Sequence, residues 1–456
     1  MAERLGVADA RLLEALRGPA PAPLPADPVA PPVAPPARPG ARGRTAVWSV
    51  STALAGQAAL VVSGPLVARC LGVQDRGHLA MVVLIPMLAA QLCQLGLPSA
   101  VTWALATGRD GKQGRLPAGL PAVMAAQMAA VSVLHALAAL AITAGAGPQV
   151  RLVALVSVPT APAMLAHMLA LAALQGRGRF GAFNVLRTLP AVLYAGATLA
   201  LFLTGTGSLA TITAAWCGAS CLVAVASVAT ARQATGPAGE PGGPGPGLGE
   251  LGSYGLRDWL GSMSPLETFR LDQLVVGLVV SPAALGLYVV GASFSNLPRF
   301  VAQSLGAVAF PAVAAQVDPA AARRTAWRYT LAGTAACAVV VALLMAACPV
   351  ALPLLFGSEF APAVGITQLL LAGALLTGVR RVLADGLRGL GRPGAGTVGE
   401  VTTWVALVAS MAVLVPAFGV TGAAAGFALS AGAGLAVLAA GLRRGTRPSI
   451  EQEKHS

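Results

Sequence analysis

The sequence has few charged residues. They make up 10% of its 456 residues, against about 25% in a typical soluble domain. So few charges cannot cover the surface of a soluble protein of this length, and the mean hydropathy is +0.74. Apolar runs of 18 or more residues recur along the chain, which is typical of a polytopic helical membrane protein. This pattern argues against the alternative, a large soluble Ala-rich helical protein.

Lysine is almost absent. Lys112 and Lys454 are the only two, so the net charge of +13 is carried almost entirely by arginine. In a soluble protein this excess would favour nucleic-acid binding. In a membrane protein it sets orientation instead, because positively charged loops stay cytoplasmic. We favour orientation and predict no nucleic-acid partner.

Catalytic and metal-binding motifs are also missing. The sequence contains no Walker A, HExxH or GxSxG motif. Cys217 and Cys221 lie one helical turn apart, but no histidine or second cysteine pair completes a metal site. His135 and His167 lie inside predicted spans, where a structural role is favoured over proton relay. The connections predicted on the outer side are short, so we predict no enzyme, no metal and no cofactor.

Twelve spans of about 20 apolar residues follow from the hydropathy. They are 47–70, 78–107, 117–144, 151–175, 184–203, 208–231, 256–280, 283–314, 327–355, 361–389, 395–417 and 420–442. Alternate connections are rich in arginine, whereas those between them carry little charge. The positive-inside rule then places both termini on the cytoplasmic side of the membrane. Arginine in place of lysine, with abundant alanine and glycine, suggests a bacterium with a GC-rich genome, so the expected location is a bacterial cytoplasmic membrane.

The chain divides into two similar halves. We predict a disordered Pro-rich tail (1–45), an N-lobe (46–231), a Gly/Pro-rich linker (232–253), a C-lobe (254–442) and a short tail (443–456). Similar segments recur at offsets of about 210 residues, and six spans in each half give both halves the same orientation. The predicted fold is all-α, with about 12 transmembrane helices in two parallel six-helix lobes around a central cavity.

The segment "ETFRLDQL" (267–274) places charges inside the seventh span. Arg270 should lie about 20 Å along that helix, and Arg299 about 24 Å along the eighth, both near the bilayer centre. An unpaired charge there costs on the order of 3 kcal/mol, so these side chains should face a cavity. Two guanidinium groups suit a phosphate-bearing ligand, because they match phosphate oxygens bidentately.

The neighbouring acids are predicted to lie on different faces of the seventh span. In a continuous helix Glu267 pairs with Arg270, about 60° away, whereas Asp272 lies about 160° from Arg270 and needs another partner. These groups serve either a coupling role or an internal salt-bridge network. The first half offers uncharged polar residues, chiefly Gln57 and Gln91, so we expect the cavity's charge to lie on the second lobe.

Three segments in order resemble the polysaccharide or O-antigen flippase family of the multidrug/oligosaccharidyl-lipid/polysaccharide exporter superfamily. They are "VARCLGVQDRGHLAMVV", "FRLDQLVVGLVVSPAALGLYVVGASFSNLPRFVAQSLGAVAFPAVAA" and "FGSEFAPAVGITQLLLAG". The family pattern Leu-Gly-x-x-x-Tyr-Gly is matched by Leu71, Gly72 and Gly77, but Arg76 replaces the tyrosine.

The resemblance implies a transporter that moves an undecaprenyl-diphosphate-linked oligosaccharide across the membrane by alternating access. Arg270 and Arg299 are the candidate substrate-binding residues, and Na⁺ or H⁺ is the candidate coupling ion. The implied partners are the lipid-linked oligosaccharide, the lipid bilayer and polysaccharide-assembly proteins. The alternatives are a cation-coupled multidrug exporter, a lipid II flippase, and a non-transporting scaffold recruited through the Pro-rich tail.

Overall fold

Helices make up nearly all of the chain that is described. In lipid an apolar segment must satisfy its own backbone hydrogen bonds, which favours helices. The computed structural model describes residues 39–106, 116–234, 246–261, 264, 266, 268–316, 318–391 and 393–443, and no strand occurs among them. The packing contacts and the cavity described below lie within the unit Thr45–Ser456.

Fourteen α-helices follow one another among the described residues. They are α1 (Pro39–Cys93), α2 (Leu97–Ala106), α3 (Leu120–Ile142), α4 (Pro148–Val156), α5 (Thr160–Gly176), α6 (Phe180–Leu203), α7 (Leu209–Ala234), α8 (Leu248–Gly261), α9 (Leu271–Val275), α10 (Pro282–Phe294), α11 (Asn296–Ala314), α12 (Pro319–Phe356), α13 (Ala363–Gly389) and α14 (Pro393–Arg443). A π-helical turn, Val276–Val280, continues α9.

Twelve crossings result from these helices, which confirms the predicted fold. Nine described stretches are long and apolar enough to cross a membrane. Two of them turn back halfway, at Gly72 (φ 70°) in α1 and at Gly419 (φ 56°) in α14. Both glycines adopt positive φ, which costs glycine little and other residues more. Helices α8 and α9 together form the seventh crossing, and the crossings surround a central cavity.

The seventh crossing is interrupted, so the continuous helix predicted over 256–280 is wrong. Helix α8 ends at Gly261 and α9 begins at Leu271, while Ser264, Leu266 and 268–270 are not helical. The helical angles assigned to "ETFRLDQL" therefore do not apply. The eighth crossing also breaks, at Ser295, three residues before Pro298, which has no N–H to donate to the carbonyl of Phe294.

The two halves of the chain meet closely at the end of the protein that contains Gly72. A Cβ added to Gly77 would lie 1.7 Å from the carbonyl oxygen of Pro282, and one on Gly286 would lie 2.1 Å from that of Val73. Small residues thus let two helix backbones touch. Arg69 adds hydrogen bonds from Nη2 and Nε to the carbonyls of Leu354 (2.5 Å) and Leu355 (2.9 Å).

A second contact between the halves lies at the opposite end. Helix α8 packs on α2, where a Cβ on Gly96 would lie 1.8 Å from the carbonyl oxygen of Gly255. The rings of Trp103 and Tyr254 stack, with centroids 4.8 Å apart. Half of the predicted linker and most of both tails lie outside the described residues, so the proposed domain boundaries stay predictions.

We expect Gly286→Ala to destabilise the contact at the Gly72 end. The added methyl overlaps the backbone of Val73, and overpacking of this kind costs about 1–3 kcal/mol. The thermal unfolding midpoint of the purified protein in detergent should fall by several degrees. Gly218→Ala on α7 is the control, because its Cβ meets nothing within 4 Å and alanine favours a helix. Equal midpoints for the two variants would contradict the contact.

Candidate functional site

A cavity with three connected compartments lies between the two halves. The polar compartment, about 460 Å³, is lined by residues that include Gln57, Arg187, Asn296, Arg299 and Gln303. The apolar compartment, about 340 Å³, is lined by residues that include Arg76, Leu84, Tyr194 and Trp216. A connecting compartment of about 230 Å³ reaches Asp272 and Phe427. Leu60 and Arg270 line all three, so the compartments form one site.

Four of the six predicted site residues come together here. Arg270, Arg299, Asp272 and Gln57 all line the cavity. Glu267 lies outside the described residues, so its pairing with Arg270 stays a prediction.

Gln91 lies away from the cavity instead. Its side-chain amide accepts a hydrogen bond from Gln94 Nε2. Its backbone carbonyl accepts one of 3.0 Å from Trp259 Nε1 of α8. It therefore belongs to the contact between the halves at the end opposite Gly72, and the prediction that placed it in the cavity with Gln57 is not met.

Arg270 holds its central position through an unusual backbone conformation. Its φ of 47° and ψ of 46° are left-handed, at the residue just before α9. A non-glycine residue pays a steric cost there and keeps the conformation only where its surroundings enforce it. Arg299 lies close enough to repel the Arg270 guanidinium, and Asp272 close enough to attract it. Arg270 thus interacts both with a second arginine and with the one carboxylate of the cavity.

Asp272 is anchored by a tyrosine. The hydroxyl of Tyr288 on α10 donates a hydrogen bond of 2.7 Å to Asp272 Oδ2. Tyr288 is fully buried, and Asp272 is only 4% exposed. Oδ1 of Asp272 is buried with no hydrogen-bond partner among the described residues. The backbone N–H groups of Asp272 and Gln273 also lie near the carboxylate, and Asp272 lines the connecting compartment.

The first half contributes two arginines that the sequence analysis did not assign to the cavity. Arg76, on α1 just past the Gly72 turn, lines the apolar and connecting compartments. Arg187, on α6, lines the polar compartment, with its guanidinium 5.7 Å from the ring of Phe183. The expectation that the charge lies only on the second lobe is therefore wrong.

Helical spacing carries a signal for both arginines. Arg76 shares its cavity face with Ala80, Val83, Leu84 and Met87, and Arg187 shares its face with Pro190, Ala191 and Tyr194. Both sets follow the i, i+3, i+4, i+7 pattern of one helix face. A search for a lone arginine on an otherwise apolar stripe identifies each of them.

The charge of the cavity is strongly positive. Four arginines line it, and Asp272 is the one acidic residue among the described lining residues. Guanidinium groups bind phosphate and carboxylate oxygens in a planar, bidentate fashion. The geometry therefore fits an anionic ligand. No group of three His, Cys, Asp or Glu side chains that could hold a metal ion occurs in the described part of the chain.

The two histidines inside the spans lie elsewhere. His135 is buried on α3, with Nε2 3.4 Å from Ser157 Oγ. His167 on α5 contacts Ser227 Oγ through Nδ1 at 2.9 Å. Neither lines the three compartments. Both contacts fit the structural role favoured over proton relay.

Comparison with known proteins identifies one family and several solved structures with a similar fold. Residues 66–365 match the profile of a family described as "Polysaccharide biosynthesis protein". Among solved structures, the lipid II flippase MurJ in an inward closed conformation is similar with a TM-score of 0.68, at 10% identity over 89% of this chain and 88% of that one. No curated protein sequence matches the chain.

Multidrug resistance transporters of the MATE family, in the MOP superfamily, share the fold as well. An inward-facing structure has a TM-score of 0.62, at 13% identity over 85% of this chain and 94% of that one. An outward-facing structure has a TM-score of 0.58, at 14% identity over 88% and 94%. At such identities the likeness concerns the fold.

Removal of the Tyr288 hydroxyl should destabilise the protein. Tyr288→Phe takes the side-chain donor away from the buried Asp272 carboxylate, which costs about 1–3 kcal/mol. Chemical unfolding in detergent measures the loss. Tyr329→Phe is the control, because the Tyr329 hydroxyl makes no hydrogen bond to a described residue. Its free energy of unfolding should stay within about 0.5 kcal/mol of the parent value.

A double-mutant cycle with Asp272→Asn isolates the pair. In the Asp272→Asn background, Tyr288→Phe should lower the free energy of unfolding by less. A buried neutral amide that loses its hydrogen-bond donor is penalised less than a buried carboxylate is. Equal costs in both backgrounds would contradict the assigned pairing.

Proposed function

Since the chain belongs to the polysaccharide biosynthesis protein family, we propose that it flips a polyprenyl-diphosphate-linked oligosaccharide from the cytoplasmic to the outer leaflet. The observation that carries this proposal is the cavity between the halves, lined by four arginines. The cavity lies within a twelve-helix fold shared with MATE transporters and a lipid II flippase. The chain is a multi-pass membrane transporter, and its termini are proposed to be cytoplasmic.

The polar compartment supplies the groups that such a substrate requires. Arg187, Arg270 and Arg299 are placed to bind the diphosphate, because bidentate guanidinium contacts to phosphate are strong. Gln57, Asn296 and Gln303 add amide donors and acceptors, which suit sugar hydroxyls. Substrate entry would neutralise charges that otherwise repel one another across the two halves.

The charge balance disfavours a multidrug exporter. That alternative expects acidic groups to dominate the cavity and cationic drugs to bind. One carboxylate among four arginines gives the opposite field. A lipid II flippase remains an alternative within the same chemistry, because both substrates carry a diphosphate, and no described residue favours the scaffold alternative.

Asp272 is the candidate coupling residue, with a proton as the coupling ion. A proton requires only one oxygen of this carboxylate, whereas a hard cation takes several oxygen ligands, and Asp272 is the one acidic residue among the described lining residues. Asp272 and Arg270 attract each other. Protonation of Asp272 would remove that attraction and leave the guanidinium more available to phosphate, so proton and substrate binding would reinforce each other.

Replacement of both second-half arginines should abolish transport. Arg270→Ala/Arg299→Ala removes two of the proposed diphosphate contacts, and each charge-assisted contact contributes about 1.5–3 kcal/mol. We expect at least a hundredfold slower uptake of labelled lipid-linked sugar into everted membrane vesicles.

The matched control carries the same loss of charge outside the cavity. Arg179→Ala/Arg323→Ala removes two exposed arginines and should leave uptake within about twofold of the parent. Unchanged uptake in the cavity variant, at equal protein levels, would show that the assigned roles are wrong.

Diphosphate binding should strengthen as the pH falls. Protonation of Asp272 removes the one negative charge beside Arg270 and so raises the net positive charge there. Calorimetry with farnesyl diphosphate between pH 8 and pH 5.5 measures the affinity. The ligand itself titrates in this range, so the comparison is with Asp272→Asn, which should lose the part of the pH dependence due to the protein. Identical pH profiles would exclude Asp272 as the coupling group.

A further inference from the structure

Arg76 lies nearer to the Gly72 end of the protein than Arg270 and Arg299 do. It follows the Gly72 turn by four residues, or about 6 Å of helix. Ten residues, 271–280, lead from Arg270 back to that same end, so Arg270 lies about 15 Å from it. Arg299 lies 17 residues after Pro282, or about 25 Å from it. The arginines therefore form three levels along the membrane normal.

Arg76 faces the cavity without being neutralised by the protein. No hydrogen bond or ion pair joins it to another described residue, and its Nε is buried without a partner. Its neighbour Asp75 pairs instead with His78, at 3.1 Å. Leaving a guanidinium unpaired in an apolar setting is costly, which indicates that an anion satisfies it during the working cycle.

The surroundings of Arg76 define the chemistry of that anion. Leu79, Val83, Leu84, Met87 and Trp216 line the same compartment. Its polar groups besides the two arginines are few: Tyr194, Ser220 and Gln273. A ligand seated here combines a phosphate with an apolar chain, whereas a saccharide finds its hydroxyl partners in the polar compartment. The cavity thus separates the two ends of one amphipathic ligand.

We propose that Arg76 and Arg270 form a second phosphate-binding station for a phosphate or diphosphate ester of an apolar alcohol. The anion first binds at Arg187 and Arg299, and Arg270, which lines every compartment, passes it to Arg76 as it moves toward the Gly72 end. This inference rests on the proposed function and adds a second step to it. Arg76 therefore affects how fast the bound anion moves through the cavity, and not how tightly it binds at first.

Trp216 provides a reporter inside the second station. Purified full-length protein in lipid nanodiscs is titrated with farnesyl diphosphate, with inorganic pyrophosphate and with farnesol. The tryptophan emission that Trp216→Phe removes is followed, and calorimetry gives the total affinity. We expect farnesyl diphosphate to change this emission, pyrophosphate to do so only at tenfold or higher concentration, and farnesol not at all.

Variants distinguish the two stations. R76Q should abolish the Trp216 response while total affinity falls less than threefold, and R76K should retain the response. R299Q should lower total affinity tenfold or more. R151Q, which removes an exposed arginine near the Gly72 end, is the control and should match the parent in both readouts.

Several results would overturn the second station. They are an unchanged Trp216 response in R76Q, equal affinity losses in R76Q and R299Q, and an equal response to farnesol and farnesyl diphosphate. The comparison of farnesol with farnesyl diphosphate uses the parent protein alone, so it tests the second station even if R76Q does not fold.

Transport of lipid-linked sugar in reconstituted vesicles separates this inference from the proposed function. No transport by the parent protein contradicts the proposed function, whatever Trp216 reports. Transport that R76Q supports at the parental rate contradicts the second station alone. A tenfold slower maximal rate with an unchanged KM supports it.

Discussion

Mutual repulsion of arginines in a shared cavity is the constraint on which the rest of the structure depends. Arg76 and Arg187 come from one half of the chain, and Arg270 and Arg299 from the other. At an effective dielectric constant of 20, two like charges about 10 Å apart repel by roughly 1.7 kcal/mol. The halves are therefore pushed apart wherever no anion lies between them, and contacts elsewhere must hold them together.

Those contacts occur at both ends of the protein. At the Gly72 end, helix backbones touch through Gly77 and Gly286, and at the opposite end through Gly96 and Gly255. Backbone contact of this kind has a sharp distance dependence, so it is either made or lost. An anion that removes the repulsion changes the balance between the two ends. In the proposed alternating access, the cavity opens to one side when the contacts at that end break and those at the other end remain.

The sequence predicted the number of spans and two of the four arginines, and the reasons are physical. Apolar length and alternating arginine-rich connections report directly on the bilayer. Arg270 and Arg299 were found because a charge that deep must face a cavity. The seventh helix was misjudged because hydropathy does not reveal where a backbone leaves the helical conformation. Arg76 lies only four residues past the Gly72 turn, so its position along the predicted second span does not place it near the bilayer centre.

Gln91 illustrates the opposite error. A polar residue in an apolar span was expected to line the cavity, but it lies where α8 crosses over to pack against the first half. That crossing depends on the same break that places Arg270. Once the seventh crossing is interrupted, its first part follows one half of the protein and its second part the other. Hydropathy assigns each predicted helix to one half of the chain, so it does not predict that the seventh crossing packs against both halves.

The break also explains how one carboxylate can influence a cavity of four cations. Among the described lining residues the net charge is +3 with Asp272 ionised and +4 with it protonated, because four arginines face one acid. In a regular helix, positions two apart point away from each other. The left-handed turn at Arg270 replaces that geometry and leaves the two charges close enough to attract. The strained residue therefore connects the proposed proton-binding group, Asp272, to the proposed anion-binding arginines.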